Sequence, residues 1–365
     1  MMAAKKSGLL PILKSKSGIH VTGYVSNAGD RTATEKKLKN LIENVYESLQ
    51  PVMEPDRLSK FLAPIEALAK NVSGLGAVRG NIGIFRNESY LRVICVPIAV
   101  KDVCIVATSF HVKPLLQWVQ TECDFHFLAF DKAEAHLFKG DSGSFMQISS
   151  FQFANSSQAD NGTRLLHWLR KHRGSAAPDL FVMSLPDVIE QQISLESRRD
   201  LFSDVALSFD RSFDRESLTK TCAEIRSIFA QRAKGYLQAN LIEFSVAEDE
   251  SRIAKNIFQI SKAVARGEVR KLMIASGTRV FGKIDDKSGS LAIHPYDLDH
   301  EDDDILDDLA QAVIAQGGEV IVADDDQMPQ HRIAMAILKR GPTVRMDQER
   351  DQIFDQTDLT FGRVL

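Results

Sequence analysis

Three stretches of this 365-residue chain carry side chains suited to catalysis, metal binding or contact with phosphate. In Gly140-Asp-Ser-Gly-Ser144 a serine stands between glycines, as at the nucleophile of serine hydrolases, but such a serine needs a histidine base held by a carboxylate. Strand-like runs flank it, so a β-turn is expected. The acidic run Asp297, Asp299, Glu301, Asp302, Asp303, Asp304, Asp307 and Asp308 could bind a hard cation through oxygen. It lacks the glycine and terminal glutamate of a calcium loop. Acids are favoured at a helix N-terminus, so a solvated, dipole-matched helix start is expected. Asp324-Asp325-Asp326 reads as loop. The third stretch, Arg164-Leu-Leu-His-Trp-Leu-Arg-Lys-His-Arg173, sets Leu165, Leu166 and Leu169 on one side of a helix. Arg164, His167, Arg170, Lys171, His172 and Arg173 crowd the rest. Basic side chains with Trp168 beside them suit a phosphate backbone and stacked bases. The alternative is a solvated face with Trp168 in the core.

Other chemical signatures are missing. The chain has no G-x-x-x-x-G-K-[ST], no G-x-G-x-x-G after a strand and no H-E-x-x-H. Cys95, Cys104, Cys123 and Cys222 form no C-x-x-C pair, which argues against a disulfide framework or a zinc knuckle. No metal and no cofactor is expected. Sequons at Asn71, Asn87, Asn155 and Asn161 carry no weight without a secretory signal, and a reducing cytoplasm fits best.

These residues must be positioned by an alternation of helices and short strands. A turn at Asn27–Asp30 leads to a helix running to about Gln50, capped by Thr32 or Thr34, with Leu38, Leu41, Ile42, Val45 and Leu49 at helical spacing. Pro51 and Pro55 break it, and Leu58, Phe61, Leu62, Ile65 and Leu68 mark a second helix. Gly74, Gly76 and Gly80 punctuate the approach to strands at Ile82–Phe85, Leu91–Val96 and Val103–Ala107. A short helix follows near Trp118. A second segment holds strands at Phe125–Phe130, Ala135–Phe138 and Phe145–Ile148, then a polar loop over 154–163 and the basic helix from Arg164. A strand at Asp179–Ser184 and a helix through Leu218, Cys222, Ile225 and Phe229 complete it. In the last segment a helix with Ile253, Ile257, Ile260 and Val264 precedes strands at Lys271–Ala275 and Arg279–Ile284. The helix Ile305–Ala315 and the strand Glu319–Ala323 end the pattern, which is that of a three-layer α/β sandwich.

Length alone suggests two or three domains, and we expect 1–118, 119–236 and 237–365. Apolar residues make up 44% and charged residues 26%, a globular composition. The longest apolar runs, such as Val93–Val100, are far short of a membrane span, so no membrane partner is expected. Residues 1–118 carry 16 Lys/Arg against 9 Asp/Glu, the middle segment 14 against 16, and residues 237–365 carry 15 against 24. A basic front and an acidic back suggest different partners, with a protein docking on the acidic C-terminal segment.

The order of segments resembles the bacterial homologues of the archaeo-eukaryotic peptide release factor and Pelota family. Asn81-Ile-Gly-Ile-Phe85, Pro97, Ser109-Phe-His-Val-Lys-Pro-Leu-Leu116, Phe127-Leu-Ala-Phe-Asp131 and Ala135-His-Leu-Phe-Lys-Gly140 carry it in the front half. Ala265-Arg-Gly-Glu-Val-Arg-Lys-Leu-Met-Ile-Ala275, Phe281-Gly282, Gly317-Gly-Glu-Val-Ile-Val322, Met328-Pro329 and Ala334–Arg340 carry it behind. The likeness runs in order over about residues 16–341. It implies an α+β N-terminal domain, a ribonuclease H-like middle sheet and a C-terminal fold like that of ribosomal proteins binding kinked RNA. It also implies action at the ribosome in termination, rescue or quality control.

The family's Gly-Gly-Gln tip is not present. Its matching place, just before the basic helix, is Asn161-Gly162-Thr163, so peptide release is not expected and no enzymatic activity is assigned. What the resemblance leaves is engagement of the ribosome, with tRNA or ribosomal RNA met by Asn161, Gly162, Thr163, Arg164, His167, Arg170, Lys171, His172 and Arg173. Two further readings stay open. One is a metal-dependent nuclease on the ribonuclease H-like sheet, with Asp131 and Asp187 as ligands. The other is a protein-interaction or stress module that no longer binds the ribosome. Residues 342–365 form a polar tail beyond the resemblance.

Overall fold

In the computed structural model the described residues are 9, 11–13, 18–26, 30–71, 81–96, 98, 100–121, 123–155, 157–174, 177–294 and 303–340. The turn at 27–29, Gly74, Gly76, Gly80, Pro97, the acids from Asp297 to Asp302 and the tail 342–365 lie outside them. The chain is of the mixed α/β class, and its described residues divide into two compact units, one within 121–235, the other within 9–120 with 236–340.

The larger unit opens with β1 (His20–Val25), then α1 (Arg31–Leu49) and α2 (Pro55–Lys70). Asp30, rather than Thr32 or Thr34, caps α1, its carboxylate accepting the Thr32 and Ala33 N–H groups. Strands β2 (Asn81–Arg86), β3 (Leu91–Val96) and β4 (Val103–Ala107) join β1 in an antiparallel sheet of order β3-β2-β1-β4. One face of this sheet packs on α1 and α2 through Val21, Leu38, Leu41, Val45, Phe61 and Ile65. The short helix α3 (Lys113–Gln120) follows.

The smaller unit contains β5 (Phe125–Phe130), β6 (Glu134–Gly140), β7 (Phe145–Gln152), α4 (Gln158–Arg173), β8 (Asp179–Met183), α5 (Pro186–Gln192), α6 (Leu195–Ser203) and β9 (Val205–Phe209). Its sheet order is β7-β6-β5-β8-β9, antiparallel from β7 to β5 and parallel from β5 to β9. β5 is central and apolar apart from His126, as a strand buried on both faces should be. Phe130, Leu137, Phe151, Leu165, Leu169 and Leu180 fill one side. Phe125, Phe127, Phe181, Cys222 and Ile225 fill the other. The last two come from α7 (Arg215–Asp249), a 35-residue helix whose residues are divided between the units at 235/236.

The larger unit resumes with the end of α7, β10 (Ile253–Ala254), α8 (Ile257–Ala265), β11 (Val269–Ala275), β12 (Phe281–Ile284), β13 (Leu291–His294), β14 (Asp303–Asp304), α9 (Ile305–Ala315), β15 (Glu319–Ala323) and β16 (Ala334–Leu338). Sheet β10-β16-β11-β15 is the centre of three layers. Phe244 and Ala247 of α7 cover Met273, Ile321 and Met335 on one face. Ile260, Val264, Leu309 and Val313 of α8 and α9 cover the other. That second core also takes in Tyr24, Phe85, Phe110 and Leu115, so the first and last parts of the chain share one apolar interior.

Where they meet, the acidic run departs from expectation. Asp303, Asp304 and Asp307 are buried, not solvated. Asp307 Oδ1 accepts the Val112 and Lys113 N–H groups, both at 2.9 Å, and so caps α3 from another part of the chain. Its Oδ2 meets His111 Nδ1. Asp304 Oδ2 lies 2.6 Å from the buried Lys113 ammonium, while Thr108 bonds Asp303 and Ser109 bonds Asp308. Burial of charges without partners is prohibitive, and residues 108–113 supply those partners. This part of the acidic run is therefore an internal lock, not a solvated helix start.

Candidate nucleic-acid interface

Helix α4 begins earlier than its sequence suggested. Ser157 is the N-cap, its side chain accepting the Asp160 N–H, so Gln158–Thr163 are helical rather than loop. The polarity of 154–163 hid this because the buried face of the first turns is made of Asn161 and Gly162 in place of apolar residues. Asn161 Nδ2 donates to Ala154 O and its Oδ1 accepts the Ala154 N–H, both at 3.1 Å. Gly162 lies against α6, where an added Cβ would fall 2.1 Å from Ser197 Oγ. Neither residue is available at the surface, and the expected tip at Asn161-Gly162-Thr163 is instead a packed helical turn. Thr163 is exposed, with its hydroxyl donating to Ala159 O.

The rest of α4 follows helical geometry. Leu165 and Leu169 point into the core. At 100° per residue, Arg164, His167, Arg170 and Lys171 fall on one arc of the opposite side, and all four are exposed. Arg164 sits over the Phe151 ring at 5.5 Å and lies 3.8 Å from Asp160. His172 is exposed at the helix end, its Nδ1 2.8 Å from Trp168 O. Arg173 differs: it is half-buried and donates to Pro178 O at 2.8 Å. Burial lowers its pKa, and the charges of Asp204 and Asp179 act against that. Trp168 is half-buried, with its ring centroid 5.6 Å from Phe151 and 5.1 Å from His172, so it braces the helix from within. Gly174 at φ +71° ends the helix, its N–H bonded to Arg170 O. Basic residues in the last turn also complement the helix dipole, which is enough to stabilise them there without a ligand.

The other candidates are placed as follows. Asp141 Oδ1 accepts the Gly143 and Ser144 N–H groups, making Gly140–Ser144 the turn between β6 and β7. Asp131 Oδ1 accepts the Ala133 and Glu134 N–H groups, and its Oδ2 lies 3.1 Å from His136 Nε2. Asp187 is exposed in the first turn of α5. Among the described residues the one group of three metal-ligating side chains with donor atoms within 4.8 Å is His111, Asp304 and Asp307, which includes neither Asp131 nor Asp187. There Lys113 already provides the positive charge. No helix among the described residues is long and apolar enough to cross a membrane.

No protein-family model matches the chain, and no curated protein matches it. Several solved structures are similar to it. Saccharomyces cerevisiae Dom34, a translation termination-like factor, is 13% identical over 72% of this chain and 74% of its own, with a TM-score of 0.38. A model of ribosome-bound archaeal Pelota and ABCE1 is 12% identical over 71% of this chain and 77% of its own, with a TM-score of 0.40. The archaeal translation termination factor aRF1 is 10% identical over 93% and 98%, with a TM-score of 0.26.

Proposed function

We propose that this protein is a cytoplasmic factor that engages the ribosome or tRNA in termination, rescue or quality control, without Gly-Gly-Gln peptide release. The observation that carries the reading is the arc of Arg164, His167, Arg170 and Lys171, four exposed side chains on one side of a helix fixed to its sheet by Leu165 and Leu169. Such an arc meets successive phosphates without having to order a loop first. The family-like order of segments supplies the translation context. Asn161 and Gly162 hold α4 in place, and Arg173 braces its end, so contact with RNA falls to the four arc residues, with Thr163 and His172 at its margins.

The test is binding of labelled tRNA over a salt series, comparing the wild type with the triple variant R164A/R170A/K171A. Each lost phosphate contact should reduce the slope of log K against log salt by about 0.7 to 0.9, so the triple variant should lose roughly two to three units of slope along with affinity. Equal slopes would remove α4 as the RNA contact.

A further inference from the structure

The larger unit holds a second feature that the RNA reading does not use. Beside the lock between residues 108–113 and the start of α9 lies an open cleft of about 510 Å³. Asp303, Asp308, Ser109 and Ser261 are its inner polar residues, and Lys283 and Asp286 stand exposed at its rim. Val264, Leu309 and Ala312 form an aliphatic wall. Ser261 is 1% exposed, yet among the described residues its hydroxyl has no hydrogen-bond partner. A buried hydroxyl with nothing to bond is costly, and it points to a polar group missing from beside it. Asp308 Oδ1 accepts the Ser109 hydroxyl at 2.7 Å, and among the described residues its second oxygen accepts no hydrogen bond.

We propose that this cleft binds a primary ammonium on an aliphatic chain, the ammonium taken by Asp308 and the Ser261 hydroxyl and the methylenes by Val264, Leu309 and Ala312. Burial, and next the charge of Asp303, hold the Asp308 carboxyl well above its ordinary range, an imbalance that a bound cation relieves. A hard metal ion fits less well, because it asks for a compact shell of six or more oxygens, whereas this cleft is roomy and half aliphatic. An ammonium needs only a few acceptors, and its hydrocarbon part gains from the apolar wall. The ligand could be a free diamine or polyamine, or a lysine side chain of another protein; the ammonium chemistry is the same.

The experiment is calorimetric titration of the full chain with 1,4-diaminobutane, with Nα-acetyl-lysine amide and with magnesium chloride. Asp308→Asn keeps an acceptor for Ser109 but removes the charge. Ala315→Phe blocks the cleft from an exposed position. Saturable diamine binding that weakens at least about tenfold in Asp308→Asn and is lost in Ala315→Phe supports a free amine as ligand. Binding of the lysine amide alone, with the same dependence, supports a lysine side chain. Absence of saturable binding by either amine, or equal affinity in Asp308→Asn, overturns the proposal. So does Asp308-dependent binding of magnesium without amine binding. None of these outcomes depends on α4, so the RNA reading stands or falls separately.

Discussion

Replacing Asp307 with alanine should destabilise the larger unit severely. The carboxylate is 1% exposed, it accepts two N–H groups at the start of α3, and it faces His111. Burial alone would raise its pKa, but His111, the Lys113 charge and the Val112 N–H outweigh that and hold it below the ordinary carboxylate value. Removing one partner from a buried, hydrogen-bonded ionic cluster costs about 3–5 kcal/mol, because the groups left behind remain desolvated. In a unit of this size that lowers the melting temperature by roughly 10 °C. The protein carries one tryptophan in each unit, Trp118 on α3 and Trp168 on α4. Urea unfolding in a Trp168→Phe background therefore lets Trp118 report on the larger unit alone. The pH dependence has a definite sign. A carboxyl depressed in the folded state stabilises above its unfolded pKa of about 3.9 and loses that contribution as pH falls through the folded value. The gap between wild type and Asp307→Ala should thus hold from neutral pH down to about pH 5 and narrow below about pH 4. A loss under about 1 kcal/mol at neutral pH, within reach of an exposed ion pair, would refute the assignment of Asp307 as the cap of α3.

Asp308 should behave oppositely. Its carboxyl is raised in the fold, so it opposes folding at neutral pH, and Asp308→Asn should raise the unfolding midpoint there, with the gain fading as pH falls towards about 4. Unfolding midpoints at neutral and acid pH check this, and a lower midpoint at neutral pH would contradict it. Gly162→Ala should cost about 1–3 kcal/mol through contact with Ser197, and Ser197→Gly in the same chain should restore part of the loss. Trp168 fluorescence in a Trp118→Phe background reads that unit, and an unaffected Gly162→Ala would mean that α4 and α6 are not in close contact.

Much of the fold was legible from the sequence because its strands are short apolar runs with clear ends. Leu91–Val96, Val103–Ala107, Phe125–Phe130, Ile305–Ala315 and Glu319–Ala323 stand as read. What escaped depends on partners distant in sequence. β1 carries Thr22 and Gly23 at its centre and gives little strand signal, yet it is an inner strand of its sheet, paired on both sides. The acids from Asp303 to Asp308 look like a solvated helix start until Thr108, Ser109, His111 and Lys113 are brought against them from about 195 residues away. Asn161 and Gly162 read as loop because local composition cannot reveal a helix face buried through an amide clamp and a glycine contact. The basic side of α4 was visible from spacing. Trp168 against the core was one of the two readings the spacing offered, and its contact with Phe151 matches that one, whereas the separation of Arg173 was not visible, since it is decided by Pro178.

Association with ribosomes through α4 can be read by sedimenting the tagged full chain from native lysate through sucrose. Wild-type protein should travel with ribosomes or their large subunits at low salt and be released at raised salt, while R164A/R170A/K171A stays at the top under both conditions. Wild-type protein remaining at the top at low salt, or a triple variant that sediments as the wild type does, would contradict it.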